Sequence, residues 1–299
     1  MRRLLIIGCG DVGMRLARIL DGRWRLYALA RSSERLNELR AAGVVPVPGD
    51  LDHPQSLARL AGLAQDVVHL APPAPAGVRD TRTGNLIRAL AKGGSLPQRL
   101  VYISTSGVYG NCEGEIIDET RPVCPASDRA KRRSDAERQM RAWGRQRGVQ
   151  VSILRVPGIY SATRLPIARL RAGTPALTAD RDPYTNHIHA DDLARIVLAV
   201  LARGRAGRAY NAADDDWLKM GDYFDLVANE FDLPSPPRVS WEAAQSGLPE
   251  SQLSFMRESR RLDNGRLKRE LRVRLLYPSV RLGVAAARRA APPTMDRAG

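Results

Sequence analysis

Cysteine is scarce in this chain of 299 residues: Cys9, Cys112 and Cys124 are scattered and form no CxxC pair. That excludes a disulfide framework and leaves reduced, unpaired thiols as the expectation. Histidine is nearly as sparse, with four in all. His187 and His189 form an HxH pair that could reach a metal from one strand face. No further His or Cys lies at ligand spacing, so no metal site is expected. Lysine stands only at Lys92, Lys131, Lys219 and Lys268, so nearly all of the net charge of +15 is arginine. That arginine is spread over the whole chain, whereas a nucleic-acid surface needs it clustered, which makes nucleic acid an unlikely partner. The densest run, "RAKRRSDAERQMRAWGRQR" from Arg129 to Arg147, carries acids at Asp135 and Glu137 and reads as one solvated helix face. Long apolar runs are also missing: none approaches the roughly 20 residues of a bilayer span, and the N-terminus lacks a signal-peptide h-region. A cytoplasmic protein without a membrane partner is expected.

The chain does have a globular composition, at 43% hydrophobic residues, and enough length to bury a sizeable core. Short apolar runs at Leu4 to Ile7, Trp24 to Ala30, Val44 to Val47, Asp66 to Leu70, Arg99 to Ser104 and Val149 to Arg155 alternate with amphipathic stretches. Strands apolar on both faces and separated by helices imply a parallel sheet covered on both sides. The fold class expected is therefore α/β, a doubly wound parallel sheet of Rossmann type with a smaller C-terminal lobe. Residues 1–155, joined by about 186–213, form the first domain, and 156–185 with 214–288 form the lobe. The period breaks after Arg155 in "VPGIYSATRLPIARLRAGTPALTADRDPYT". It resumes in "HIHADDLARIVLAVLARG" as a strand and a helix that Asp191 or Asp192 can N-cap. "RAYNAADDD" reads as a strand and polar loop, Met220 to Phe231 as a helix, and "RRLDNGRLKREL" as helical. The closing "AAARRAAPPTMDRAG" has no apolar period, and 289–299 are expected to be a disordered tail.

The most informative stretch is "RLLIIGCGDVGMRLARIL". Its apolar run enters a GxGxxG turn, Gly8, Gly10 and Gly13, and a helical pattern follows. In such a turn the first glycine permits the bend, the second lets backbone approach a pyrophosphate, and the third lets helix pack on strand. The helix behind it, from Asp11 and Val12 onward, offers free N–H groups and the positive end of its dipole. Taken alone the turn could merely join strand to helix. Its place in the first strand-helix unit favours a dinucleotide. Where an acid would meet the ribose hydroxyls of NAD, "LYALARSSERL" puts Arg31, Ser32 and Ser33, which suit the 2′-phosphate of NADP. NADP is expected ahead of NAD.

Further stretches, together with this turn, resemble the extended short-chain dehydrogenase/reductase superfamily in its NAD-dependent epimerase/dehydratase branch. "GVVPVPGDLDHPQSL" is similar to that family's third strand and Gly-Asp-Leu, which puts Asp50 and Leu51 at the adenine. "DVVHLAPPAP" resembles its fourth strand, with Ala71 and Pro72 over the cofactor. "RLVYISTSGVYG" resembles the fifth, "ILRVPGIY" the sixth, and "HIHADDLA" the turn into a later helix. "RRLDNGRLKREL" and "YPSVRLG" are similar to the lobe that closes the substrate site. By this resemblance Ser104 lies beside the nicotinamide, Thr105 bonds the substrate oxygen, and a homodimer through two helices is a common assembly.

The family's Tyr-x-x-x-Lys is the point of departure. With Pro125, Ser127 and Glu137 laid on the pattern, the tyrosine position falls on Arg129 and the lysine position on Arg133. Arginine stays protonated and cannot act as a base. Arg133 can still hold a ribose or a phosphate, and with Thr105 it is the candidate catalytic pair. Tyr109 and Tyr160 are stand-ins for the phenol or else packing residues. Glu115, Asp118 and Glu119 are a loop base or else a solvated loop. The reading is an NADP(H)-binding oxidoreductase or epimerase acting on a nucleotide-sugar or small carbonyl compound. The alternative is a non-catalytic NADP(H)-binding sensor or interaction protein.

Overall fold

The computed structural model describes residues 1–290. In chain order the elements are β1 (Arg2–Ile7), α1 (Asp11–Leu20), β2 (Trp24–Ala30), α2 (Ser33–Ala41), β3 (Val45–Pro48), β4 (Asp66–His69), α3 (Thr81–Leu90), β5 (Arg99–Thr105), β6 (Ile116–Ile117), α4 (Asp128–Arg147) and β7 (Gln150–Val156). Then follow β8 (Gly158–Tyr160), α5 (Ile167–Arg171), β9 (Ala176–Leu177), β10 (Tyr184–Thr185), β11 (His187–His189), α6 (Ala190–Arg203), β12 (Ala209–Asn211), β13 (Leu218–Lys219), α7 (Met220–Glu230), β14 (Arg238–Val239), α8 (Trp241–Gly247), α9 (Glu250–Met256), β15 (Arg261–Leu262), α10 (Gly265–Leu271) and α11 (Val280–Ala290). Each expected strand of the first half forms, displaced by at most a residue or two at its ends.

Seven strands make one sheet in the order β12-β7-β5-β4-β1-β2-β3, with every pairing parallel. Alternate residues of β1 feed the two faces. Leu4 and Ile6 pack with Leu16 and Leu20 of α1 and Leu193 and Val197 of α6. Leu5 and Ile7 pack with Leu86 of α3 and Met140 and Trp143 of α4. A strand covered on both sides must be apolar throughout, which is why the run Leu4 to Ile7 has no exposed position.

The chain winds outward from β1 through β2 to β3 and then returns to β4 on the other side of β1. At this switch of direction the carboxyl ends of β1 and β4 leave a crevice, the usual ligand position in such sheets. The backbone is drawn tight there, with the N–H groups of Leu70 and Ala71 both donating to Ile7 O at 2.7 and 3.0 Å.

The lobe has its own core of Tyr160, Leu170, Tyr223, Phe224, Val227, Val280 and Val284. Short strand pairs tie it together, β9 with β14 and β10 with β13, and β8 with β11 joins it to the segment that enters α6. One pair, β6 with β15, ties the loop after β5 to the end of the chain.

Three local expectations are corrected. Helix α6 is capped by neither aspartate, because His189 occupies the cap position and its Nδ1 accepts from Asp191 N–H at 3.2 Å. Asp192 instead turns back to accept from Leu276 and Tyr277 N–H at 2.7 and 2.8 Å. Arg261 and Leu262, read as helical, form β15, because the N–H groups of Arg261 and Asp263 donate to Glu115 O and Ile117 O. Arg289 and Ala290, read as tail, continue α11, whose buried Val284 packs in the lobe core. Of the expected tail only residues 291–299 lie outside the described residues.

Candidate functional site

Two cavities open along the carboxyl edge of the sheet and share Leu70 in their walls. The first, about 760 Å³, runs over the glycine turn. Gly8, Gly10, Arg31, Ser32, Asp50, Leu51, Ala71 and Pro72 all line it, so one groove unites eight residues from four separate strand ends. Gly8 has φ +86°, and a Cβ there would meet Ala71 N at 2.5 Å, so the switch point closes only around glycine. A Cβ on Gly10 would meet nothing within 4 Å, which leaves the backbone there open to a ligand. Gly13 is the packing glycine, with Cys9 Sγ 3.2 Å and Leu70 Cδ1 3.3 Å from where its Cβ would be.

Helix α1 enters this groove without a side-chain cap. Helices α2, α3, α4 and α6 are capped by Ser32, Asp80, Ser127 and His189. The N–H groups of Asp11, Val12 and Gly13 are thus left to a ligand, and an anion is what a free helix N-terminus favours. Asp11, Val12 and Gly13 are not themselves among the residues that line the groove. The Asp11 side chain pairs with Arg15 at 2.8 Å, and Arg15 also pairs with Asp191.

The far end of the groove is cationic. Arg31 is exposed and lies 3.9 Å from Asp50. Arg35, which sequence reading did not single out, lines the same wall, and its guanidinium bonds Cys9 O and Glu38. Its only signal was a place one helical turn beyond Arg31. Ser32 has a structural duty as well, since its Oγ accepts from Arg35 N–H at 3.3 Å. Arg82 closes the remaining side through Asp52 and the carbonyls of Pro72 and Pro73.

The second cavity, about 520 Å³, lies between the ends of β5 and β7 and the lobe. Ser104, Thr105, Arg129 and Arg133 line it, which brings the carboxyl end of β5 together with one face of α4. Thr105 Oγ1 accepts from Gly107 N–H at 3.2 Å, so its own proton is free to donate. Ser104 Oγ is buried and has no partner among the described residues. Arg133 is held in place: Nη1 donates to Ile103 O at 2.8 Å, Tyr102 Oη at 3.1 Å and Ala71 O at 3.3 Å. Arg129, one turn earlier, lies 4.4 Å from the Phe255 ring centroid. From the lobe come Arg164, Tyr184, Glu258 and Arg260, of which only Arg260 stood in a stretch, "RRLDNGRLKREL", whose resemblance placed it near the substrate site.

The stand-ins lie elsewhere. Tyr109 is fully buried against Asn211 Oδ1 at 2.7 Å, and burial pushes its hydroxyl up to about 12. Tyr160 lies in the lobe core, where burial likewise raises its pKa. Glu115 pairs with Arg121, Asp118 accepts from Thr120, and Glu119 is buried between Arg266 and Asn211 N–H. None of these five lines the second cavity. The HxH pair is taken up in packing, with the ring of His187 4.1 Å from that of Tyr223 and the ring of His189 4.0 Å from that of Tyr277. Among the described residues no three His, Cys, Asp or Glu side chains gather as a metal site. Cys9 and Cys112 are buried, Cys124 is exposed, and all three are free. No helix among the described residues is long and apolar enough to cross a membrane.

Comparison with known proteins converges on one family. The model of the NAD dependent epimerase/dehydratase family matches residues 4–213. A dTDP-glucose 4,6-dehydratase of Mycobacterium tuberculosis is 32% identical over 123 residues, 38% of this chain and 37% of its own. The human dTDP-D-glucose 4,6-dehydratase is 25% identical over 122 residues, 38% of this chain and 35% of its own. The match thus spans little more than a third of these curated relatives. Among solved structures, a functionally unknown conserved protein from Silicibacter pomeroyi superposes with a TM-score of 0.79 at 28% identity, over 97% of this chain and 99% of its own. The dTDP-glucose 4,6-dehydratase of Streptomyces venezuelae, solved with NAD bound, superposes with a TM-score of 0.78 at 25% identity and 96% of each chain. With seven tenths of its length under the family model and the same sheet beneath its glycine turn, the chain belongs to the NAD dependent epimerase/dehydratase family.

Proposed function

We propose that this chain binds NADP(H) in the groove over the glycine turn and uses it for oxidoreductase or epimerase chemistry on a nucleotide-linked sugar or small carbonyl compound. The observation that carries this reading is the uncapped N-terminus of α1 opening on a groove where Gly8 is sterically required and Gly10 leaves space. In it the pyrophosphate rests on Gly8, Gly10 and the N–H groups of Asp11, Val12 and Gly13. Asp50 and Leu51 take the adenine end, and Ala71, Pro72 and Ser104 flank the nicotinamide end. Thr105 donates to the substrate oxygen. Arg133, with Nη1 already committed, offers its remaining N–H groups to ribose or phosphate. The dinucleotide, when bound, supplies hydride transfer.

The relatives solved with a dinucleotide carry NAD. The preference for NADP in this chain rests on Arg31 and on Arg35 beside it at the groove's rim. A guanidinium there favours a 2′-phosphate that a carboxylate would repel. NADPH and NADH binding, read by fluorescence, tests this: Arg31→Ala is expected to weaken NADPH about tenfold or more and NADH little. Equal affinity for the two in the parent protein would overturn the NADP assignment.

A second reading, a binder without turnover, is favoured by one observation. The face of α4 toward the second cavity offers two guanidiniums, and neither can exchange a proton at neutral pH. NADPH consumption against a panel of carbonyl compounds and nucleotide-sugars decides between the readings: turnover lost in Thr105→Ala supports the enzyme, and binding without turnover across the panel supports the binder.

A further inference from the structure

The second cavity has an imbalance of charge of which the dinucleotide reading uses only Arg133. Four guanidiniums line it, from Arg129, Arg133, Arg164 and Arg260, against one carboxylate, Glu258. That carboxylate is already engaged, with Arg260 Nη1 2.8 Å from its Oε2. Among the described residues no carboxylate lies within ion-pair distance of Arg129, Arg133 or Arg164. The nearby Asp128 faces away to Lys131, 3.1 Å from it.

Neutral groups beside them can donate as well. Ser104 Oγ is buried without a partner among the described residues, and Thr105 Oγ1 accepts from Gly107 N–H with its own proton left to donate. Asn186 is spent on Arg260 O and Leu262 N–H. The charged groups that remain free at this end are all donors. A neutral sugar face carries hydroxyls that need acceptors as well, whereas a carboxylate or phosphate oxygen only accepts.

Arg129 is the centre of the imbalance. It is one turn from Arg133 on α4, so the two guanidiniums lie on one helix face, and Phe255 holds it from the lobe side at 4.4 Å. Burial and then the repulsion of Arg133 and Arg132 depress its pKa, against the pull of Glu258. An anion seated between Arg129 and Arg133 offsets that repulsion. The positive end of α4, whose Ser127 cap also lines the cavity, adds to the same field.

We infer that the second cavity receives an anionic group of the substrate, a carboxylate or a phosphate, seated against Arg129, Arg133 and Arg164 beside Thr105. This deepens the reading above, because it specifies the chemistry of the compound that would meet the dinucleotide. A cavity of about 520 Å³ has room for such a group on a small molecule.

Calorimetric titration of the full chain at about 20 mM salt, where screening is weak, tests it with malonate and inorganic phosphate as anions and malonamide as the neutral control. Each titration is run with and without NADPH. Malonate or phosphate is expected to bind, malonamide not, and the stronger anion identifies the group. Arg129→Gln combined with Arg164→Gln is expected to weaken the anion about tenfold or more, and Arg129→Lys, which keeps the charge, to weaken it less. An unchanged unfolding midpoint in each variant shows that the loss is local. Anion binding no greater than that of malonamide, or equal in parent and double variant, overturns the inference. Failure of NADPH to bind while malonate still depends on Arg129 overturns the dinucleotide reading alone.

Discussion

Gly8 and Gly10 are two residues apart and do different work. At Gly8 the backbone is left-handed, and the space for a Cβ is filled by the backbone of Ala71. Gly8→Ala is therefore expected to cost about 2 kcal/mol or more in unfolding free energy, since neither the positive φ nor the neighbouring strand end can relax cheaply. At Gly10 the space is empty and φ is −86°, so Gly10→Ala is expected to keep the stability of the parent within about 0.5 kcal/mol. It is still expected to lose dinucleotide affinity, because the added methyl stands where a ligand would approach. Urea unfolding and NADPH titration of the two variants separate these effects. The GxGxxG spacing was legible in the sequence. The division of labour was not, because Ala71 is distant in sequence and only the switch point brings it to Gly8. Arg35 shows the same limit: nothing distinguishes it from other helical arginines until α2 places it against Cys9 O.

Helix α4 is more than the solvated face its charges suggest. Its Asp135 and Glu137 are buried and not solvent partners. Asp135 accepts from Asp80 N–H at 2.9 Å and from Gln139 Nε2 at 2.7 Å, which fixes the start of α3. Glu137 takes Arg155 in a two-point pair at 3.2 and 2.9 Å, with both side chains about 5% exposed. This bond crosses from α4 to β7 and sets how the face carrying Arg129 and Arg133 meets the sheet. A buried pair contributes little net stability compared with an apolar one, but removing one partner strands a charge. Glu137→Gln is thus expected to destabilise the fold by about 3 kcal/mol. A Glu137→Leu, Arg155→Met double variant is expected to recover much of that, and a double-mutant cycle by chemical denaturation measures the coupling. A helical wheel cannot show this, because nothing in local periodicity tells a buried carboxylate from a solvated one.

Across the whole molecule, burial sets the response to acid. His69 ends the central strand β4, where burial and then the charge of Arg133 hold its pKa down to about 3, from an ordinary 6.5. His187, buried against Tyr223, is depressed to about 3 by burial alone. The unfolded chain takes up these protons first. The stability due to a neutral buried imidazole is therefore complete above about pH 6.5 and is lost as pH falls toward 3. Unfolding measured from pH 7 to 5 is expected to show a shallower loss in His69→Gln than in the parent, by up to about 1.4 kcal/mol per pH unit. Equal slopes would mean that His69 takes up its proton in the folded state as readily as in the unfolded chain. The strand-helix alternation, the parallel sheet and the glycine turn were determined by the sequence itself, because they rest on local periodicity and on the conformational freedom of glycine, which neighbours in the chain decide. What only the tertiary structure decided is which charges meet. Arg35 reached the first groove, and Arg164, Tyr184 and Glu258 reached the second cavity, from positions with no local signature. Tyr109, Tyr160 and the HxH pair went instead into packed interiors. A side chain's chemistry depends on what surrounds it, and here those surroundings come from elements far apart in the chain.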